Sequence, residues 1–210
     1  MSAPLDLPKT GKRELQKEAR RSAIIDAALE AFTQQGFTST KLDDVADRAG
    51  IGKGTIYLYF DSKENLFEEV VRQTMFPIRD EAQARVDSFT GSAAELLTMH
   101  LTHFYSSISN PKIPPLMSLL AGEAMRFPTI AGFFYDEIIS KSQNILRRIL
   151  SKGVESGEFR PDANDLYLQL LMAPVLISTT WNLQFHDHDP IVIDKYMQMH
   201  IAFVLRAIKA

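Results

Sequence analysis

The sequence predicts an all-α protein, with an N-terminal three-helix part carrying a helix-turn-helix and a larger helical domain behind it. Three observations predict this. Leu42, Val45, Ala46 and Ala49 are spaced i, i+3, i+4 and i+7, which is one apolar face of a helix. Gly50-Ile51-Gly52 separates that face from a second short one at Ile56 and Phe60. Beyond Pro77 no run of alternating β-branched residues occurs, and Pro and Gly cut the chain into helix-length pieces.

Taken in order, Met1 to Leu15 contains Pro4, Pro8 and Gly11 and reads as an arm. A first helix is expected from Lys17 to Gln35, with Ile24, Ala27, Ala28, Ala31 and Phe32 as its inner stripe and Gly36 as its stop. Phe37 is expected to pack beneath the helix-turn-helix. Thr40, with Asp43 three residues on, fits an N-cap with an acidic partner in the capping-box position. Gly50 suits the left-handed position that ends the second helix, and Gly52 can cap the third. Asp61 and Ser62 cap a fourth helix, in which Leu66, Phe67, Val70 and Val71 carry the apolar pattern. Pro77 should end or kink it. The domain boundary is therefore placed there, giving 18–78 and 79–210, with the helix-turn-helix at 41–60. Later helices are expected at Ile78–Phe89, Ala93–Ser109, Pro115–Phe127, Thr129–Ser156, Asn164–Phe185 and Ile191–Ile208.

A chain of 210 residues can bury a sizeable core as one large or two small domains. Its net charge is only −3, but the distribution is uneven. Six basic residues against Glu14 and Glu18 leave a net +4 over Lys9 to Arg21, whereas Leu66 onward holds 13 basic and 16 acidic residues. There is no cysteine, so no disulfide or thiol chemistry arises. The first residues lack the apolar core of a signal peptide. The longest apolar stretch, Leu166 to Ile177, is interrupted by Gln169 and Pro174 and is too short to span a bilayer. A cytoplasmic protein with no membrane partner is the expectation.

Helix, glycine turn, helix is the arrangement in which a second helix enters the DNA major groove. The residues left facing outward suit that task. Lys53 can reach a phosphate or a guanine edge. Gly54 lets the backbone come close to a base. Tyr57, Tyr59 and Lys63 can bond phosphates, and Thr55 also faces outward. Lys41 and Gly52 complete the DNA-facing set. Leu58 either reads a thymine methyl or touches nothing. An ordinary helical hairpin is the alternative, but a basic segment just upstream, able to reach a flanking minor groove, favours double-stranded DNA.

Gly52-Lys53-Gly54-Thr55-Ile56-Tyr57-Leu58-Tyr59-Phe60 followed by Ser62-Lys63-Glu64-Asn65-Leu66 resembles the DNA-binding core of the tetracycline-repressor (TetR) family. Ala27-Ala28-Leu29-Glu30-Ala31-Phe32, Gly36-Phe37 and Asp44-Val45-Ala46 fit the same pattern, over Glu18 to Ile78. The resemblance implies a homodimeric transcriptional regulator, usually a repressor released from a palindromic operator by a small molecule. It makes Lys53 and Gly54 base contacts, and Thr55, Tyr57, Tyr59 and Lys63 phosphate contacts. Gly52 stands where Ser is frequent, and Leu58 where a polar or aromatic residue is frequent.

For the second domain, the resemblance implies ligand binding and dimerisation. Phe134, Ile138, Ile145 and Ile149 on one long helix, and Leu166, Leu170, Ala173, Ile177 and Trp181 on another, form stripes that suit a four-helix dimer interface or an internal seam. Met99, Phe104, Met117, Met125, Phe127, Phe133, Met172 and Trp181 are adaptable side chains for an apolar pocket, and His100, His103, Asn182 and Gln184 could orient a ligand there. They equally suit a plain core. No cofactor is expected. His100 and His103, or the His186-Asp187-His188-Asp189 loop, lack enough ligands for a closed metal site. No nucleophile motif, phosphate loop or metal pair suggests an enzyme. An activator of the same fold, without an inducer, is the second reading.

Overall fold

The computed structural model describes residues 9–210, so the part of the expected arm before Lys9 lies outside the described residues. The chain forms two compact units that divide after Gln73. Among the described residues there is no strand, only an isolated bridge between Phe159 and Lys209.

In the first unit α1 (Lys9–Ser39) starts well before the expected Lys17. Arg13 to Arg20 are exposed or nearly so. Burial therefore does not drive that extension; Lys, Arg, Glu, Gln and Ala are good helix formers and carry it by propensity. Gly36 interrupts the helix with φ 80° and ψ 161°, a conformation that a side chain would resist. The chain then bends so that Phe37 turns inward. Phe32, Phe37 and Phe67 form a triangle with ring centroids 5.4 to 5.5 Å apart, two of the three pairs edge-on. All three rings are buried, together with Ile24, Ile25, Ala28, Ala31, Val45, Ile56, Phe60 and Val70.

α2 (Leu42–Arg48) buries Val45 and Ala46. Its N-cap is Lys41, not Thr40 as expected: the Lys41 N–H donates to the Asp44 carboxylate at 3.2 Å. Thr40 is instead buried, and its hydroxyl donates to the Gly36 carbonyl at 2.8 Å, with the Ala31 carbonyl at 3.3 Å. It ties the entry of α2 to the broken end of α1. Gly50 (φ 67°) ends α2 in a Schellman pattern, with the Ile51 N–H on the Ala46 carbonyl and the Gly50 N–H on that of Asp47. α3 (Lys53–Ile56) is a single turn. Ser62 caps α4 (Lys63–Ser88), its hydroxyl accepting from the Asn65 N–H at 3.0 Å. Pro77 neither ends nor interrupts α4. Pro77 and Gln73, whose carbonyl loses its donor, are both exposed, so water can satisfy that carbonyl.

The second unit takes the remainder of α4, then α5 (Ala93–Ser107), α6 (Ile113–Glu123), α7 (Pro128–Phe134), α8 (Ser140–Glu155), α9 (Gln169–Phe185) and α10 (Ile193–Ile208). A π-helical turn, Tyr135–Ile139, joins α7 to α8 where one uninterrupted helix was expected. The helix expected from Asn164 starts instead as a 3-10 turn, Pro161–Asp165. Leu166 is extended there, and Leu168 becomes buried before α9 begins. The core is built from α5, α8 and α10, with Leu96, Leu97, Leu101, Ile145, Leu146, Ile149, Leu150, Ile201 and Val204 inside. α5 is doubly capped. Ser92 and Glu95 make a reciprocal capping box, and the Glu158 carboxylate accepts from the Ala93 and Ala94 N–H groups at 2.9 and 3.1 Å. Those bonds hold the Glu158 carboxyl below its ordinary value.

Removing one ring of the triangle should cost the first unit about 3–5 kcal/mol. Urea denaturation of Phe32→Ala followed by circular dichroism is expected to resolve an early transition from this unit while the second unit unfolds as in the wild type.

Candidate nucleic-acid interface and ligand cavity

α3 is held from below by Ile56 and Phe60, both buried. Its single turn continues into tight turns, with the Leu58 N–H on the Thr55 carbonyl and the Tyr59 and Phe60 N–H groups on that of Ile56. This fixes what faces outward: Lys53, Gly54, Tyr57 at 53% exposure and Leu58 at 81%. Gly54 is not required by the fold. It has no positive φ, and a Cβ there would meet nothing within 4 Å. At Gly52 a Cβ would make only an ordinary contact with the Thr55 hydroxyl.

The cations of this face are not all equally available. Lys53 Nζ pairs with Asp43 Oδ2 at 3.2 Å, and that hydrogen bond and charge hold its pKa above the ordinary value. Lys63 Nζ donates to the Phe37 and Thr38 carbonyls at 2.7 and 3.1 Å and lies 4.5 Å from the centre of the Phe37 ring. It thus stitches α4 to the end of α1, with one N–H left over. Lys41 is exposed and Thr55 and Tyr59 are half-buried. Tyr59 and Leu58 border a small polar cleft with Glu14, Lys17, Glu18 and Arg21 of α1. Arg21 bonds Glu69, which also holds Arg72 at 2.6 Å. The Lys53–Asp43 and Arg21–Glu69 pairs are not legible in the sequence, because neither has helical spacing.

In the second unit a cavity of about 440 Å³ opens among α4, α5, α6, the π turn, α8 and α9. Its walls are Met75 and Ile78 of α4; Phe104, Ser107 and Ile108; Ile113 and Met117; Phe134, Tyr135, Ile138 and Ile139; Ser142, Gln143 and Leu146; and Leu168, Gln169, Met172, Ala173, Val175, Leu176 and Thr179. The π turn supplies one whole wall. Arg79 braces it, donating to the Glu137 carbonyl at 3.0 Å while stacking on Phe76 at 3.9 Å.

The family description "Bacterial regulatory proteins, tetR family" matches residues 24–70, and "Tetracyclin repressor-like, C-terminal domain" matches 88–194. The regulator RutR of Escherichia coli is 32% identical over 156 residues, covering 72% of this chain and 70% of its own. The chain belongs to the TetR family. The transcriptional repressor KstR2 of Mycolicibacterium smegmatis is 28% identical over 195 residues, 92% of both chains. Among solved structures, the SmeT–triclosan complex superposes with a TM-score of 0.79 at 17% identity, covering 91% of this chain and 92% of that one. This TetR-family chain is therefore a DNA-binding transcriptional regulator, as its relatives are, and not an enzyme.

Within the TetR-family fold, three of the twelve side chains expected in the pocket line the cavity: Phe104, Met117 and Met172. The others lie elsewhere. Met125 is 94% exposed, because α6 has already ended before it. Met99 is exposed and Phe133 half-buried outside the cavity lining. Trp181 Nε1 donates to the Asp189 carbonyl, and Asn182 bonds the Ile191 N–H and carbonyl, each at 2.8 Å for Asn182. They fasten the α9–α10 loop. His103 Nε2 bonds the Ile78 carbonyl at 2.9 Å. His100 is buried against Phe104, behind the cavity wall. The supposed interface stripe is also redistributed. Phe134 and Ile138 face the cavity, and Ile145 and Ile149 are buried in the core. Leu170 and Ile177 do remain exposed, at 64% and 53%. Among the described residues no group of three or more His, Asp or Glu could hold a metal ion.

Burial holds the His100 imidazole down at about 4, with the charges of His103 and Arg85 adding to it. Burial also lowers His200, whose Nδ1 meets the Tyr105 hydroxyl at 3.0 Å. A base with a depressed folded pKa stabilises the fold above its unfolded value, and that stability is lost as pH falls. Between pH 6.5 and 4 the second unit should lose about 3 kcal/mol through His100. Urea titrations across this range are expected to show the loss, and His100→Gln is expected to remove most of it.

Proposed function

We propose that this regulator is a homodimeric cytoplasmic repressor, released from a palindromic operator when a small, largely apolar molecule fills the cavity of the second unit. One observation carries the reading: α4 is shared. Its beginning supplies Leu66, Phe67, Val70 and Val71 to the core beneath the helix-turn-helix, and farther along the same helix Met75 and Ile78 line the cavity. A molecule in the cavity therefore pushes on the helix on which the reading head is built. The effector must bind the off-DNA state more tightly, and the affinity ratio sets how far DNA binding falls. Arg79, fixed to the π turn, makes α4 answer to that wall as well.

On DNA, Lys53 would exchange Asp43 for a phosphate or guanine edge, and Gly54 would admit a base edge. Lys41, Gly52, Thr55, Tyr57 and Tyr59 would hold phosphates through side chains or backbone N–H groups, with the remaining Lys63 N–H beside them. Leu58, largely exposed, fits a thymine methyl. Dimerisation is assigned to the outer faces of α9 and α10 instead of α8. Leu170 and Ile177 on one, and Met199 and Phe203 on the other, are large apolar side chains left exposed. That the relatives are named repressors, and that a structural neighbour holds triclosan, supports both halves of the reading. No described helix is long and apolar enough to cross a membrane, in keeping with a cytoplasmic site of action.

The test is titration of the purified protein against the intergenic DNA beside its own gene, at two salt concentrations, with a scrambled duplex as control. Specific, salt-weakened binding at a stoichiometry of two chains per site is expected. Affinity equal to the scramble would overturn the reading. Gly54→Ala should fold as well as the wild type or gain about 0.5–1 kcal/mol, since Ala is the better helix former. Its operator affinity should nevertheless drop about tenfold or more, a loss of roughly 1.4 kcal/mol or more. Tyr57→Ala should weaken operator and scrambled DNA alike, leaving sequence preference unchanged.

A further inference from the structure

Resting on the reading of the cavity as the effector site, we infer that the molecule it takes is uncharged and carries a carbonyl or hydroxyl group. Among the described residues no Lys, Arg, His, Asp or Glu side chain lines the cavity. Arg79, next to Ile78 in α4, is already engaged by Asp80 and by the Glu137 carbonyl. A carboxylate, sulfonate or phosphate seated inside would lose its hydration with no opposite charge to replace it, a penalty that an uncharged ligand does not meet.

The polar groups on the walls set the second half of the inference. Ser107 and Thr179 hydroxyls are spent on the backbone carbonyls of Phe104 and Val175, at 2.7 and 2.9 Å. Ser142, Gln143 and Gln169 make no side-chain hydrogen bond to the protein among the described residues. Half-buried Ser142 and Gln143 and exposed Gln169 thus bring a few groups able to donate and accept to the border of an otherwise apolar space. They match a ligand that is mostly apolar and carries one ketone, ester, amide or alcohol group. A bare hydrocarbon covering Gln143 would take water from its amide and return no hydrogen bond, which disfavours it.

The test reads binding directly and does not involve DNA. N-phenyl-1-naphthylamine, an uncharged fluorophore, is bound to the full-length protein and then displaced with tridecan-2-one or with tridecanoate. These competitors share a chain length and differ in charge. The ketone is expected to displace the probe at a concentration at least tenfold lower than the carboxylate. Gln143→Leu combined with Gln169→Leu should shrink that advantage several-fold while leaving probe binding in place. Met117→Trp, or Ser142→Phe should the first not fold, should abolish probe binding by filling the cavity. Equal or better displacement by the carboxylate overturns the inference, as does failure of both competitors or a probe that still binds the filled variants. If the ketone wins yet operator binding is indifferent to it, the ligand class stands and the release mechanism falls.

Discussion

Packing of three phenylalanine rings, with Phe67 edge-on to the other two, is the contact on which the helix-turn-helix is built. Phe32 comes from α1, Phe67 from α4, and Phe37 from the residue immediately after the break at Gly36. The left-handed glycine turns Phe37 under the fold, and Lys63 closes over it by bonding the two carbonyls that the break leaves open. Only then is there a floor for α2 and the turn after it. A helix of one turn has no stability of its own, because the nucleating residues are fixed for almost no hydrogen bonds. α3 is helical because Ile56 and Phe60 are anchored in that floor.

The second unit is arranged differently. Its dry centre, from α5, α8 and α10, is contiguous with the cavity, since Leu146 and Leu168 belong to both. The space is therefore a gap at the margin of a packed core, walled on the far side by α6, α9 and the π turn. Tyr105 bonds His200 and Glu158 caps α5, whereas Arg85 Nη1, His100 Nε2 and His200 Nε2 are buried without a hydrogen-bond partner.

Local features were legible in the sequence, and packing partners were not. The α2 stripe, the glycine that ends it and the Ser62 cap all depend on neighbours within four residues, so their spacing carries the information. Thr40 and Lys41 show the limit. Both precede the helix, and which becomes the cap was decided by the break in α1, which presents the Gly36 and Ala31 carbonyls to the threonine. The pocket posed a harder problem. Phe104, Met117 and Met172 were found, but the same reasoning collected Met125 and Trp181, because periodicity says that a face is apolar without saying what it meets. Likewise Ile145 and Ile149 do form a stripe; it is covered by this chain's own α5 and α10 and needs no second copy.

The π turn also explains why that stripe was extended too far upstream. Counting from Phe134 through Ile149 assumes one helical phase, whereas Tyr135–Ile139 holds a wider turn. Each residue in an α-helix advances the face by roughly 100°. The wider turn takes up one residue more than an α turn would, so Ile145, Leu146, Ile149 and Leu150 reach the core although the count from Phe134 is out of step with them. Loss of a single residue between Phe134 and Ser140 would convert the bulge into a plain α turn and leave the core face of α8 where it is. The cost would fall on the cavity instead, which would lose the wall that Tyr135, Ile138 and Ile139 form.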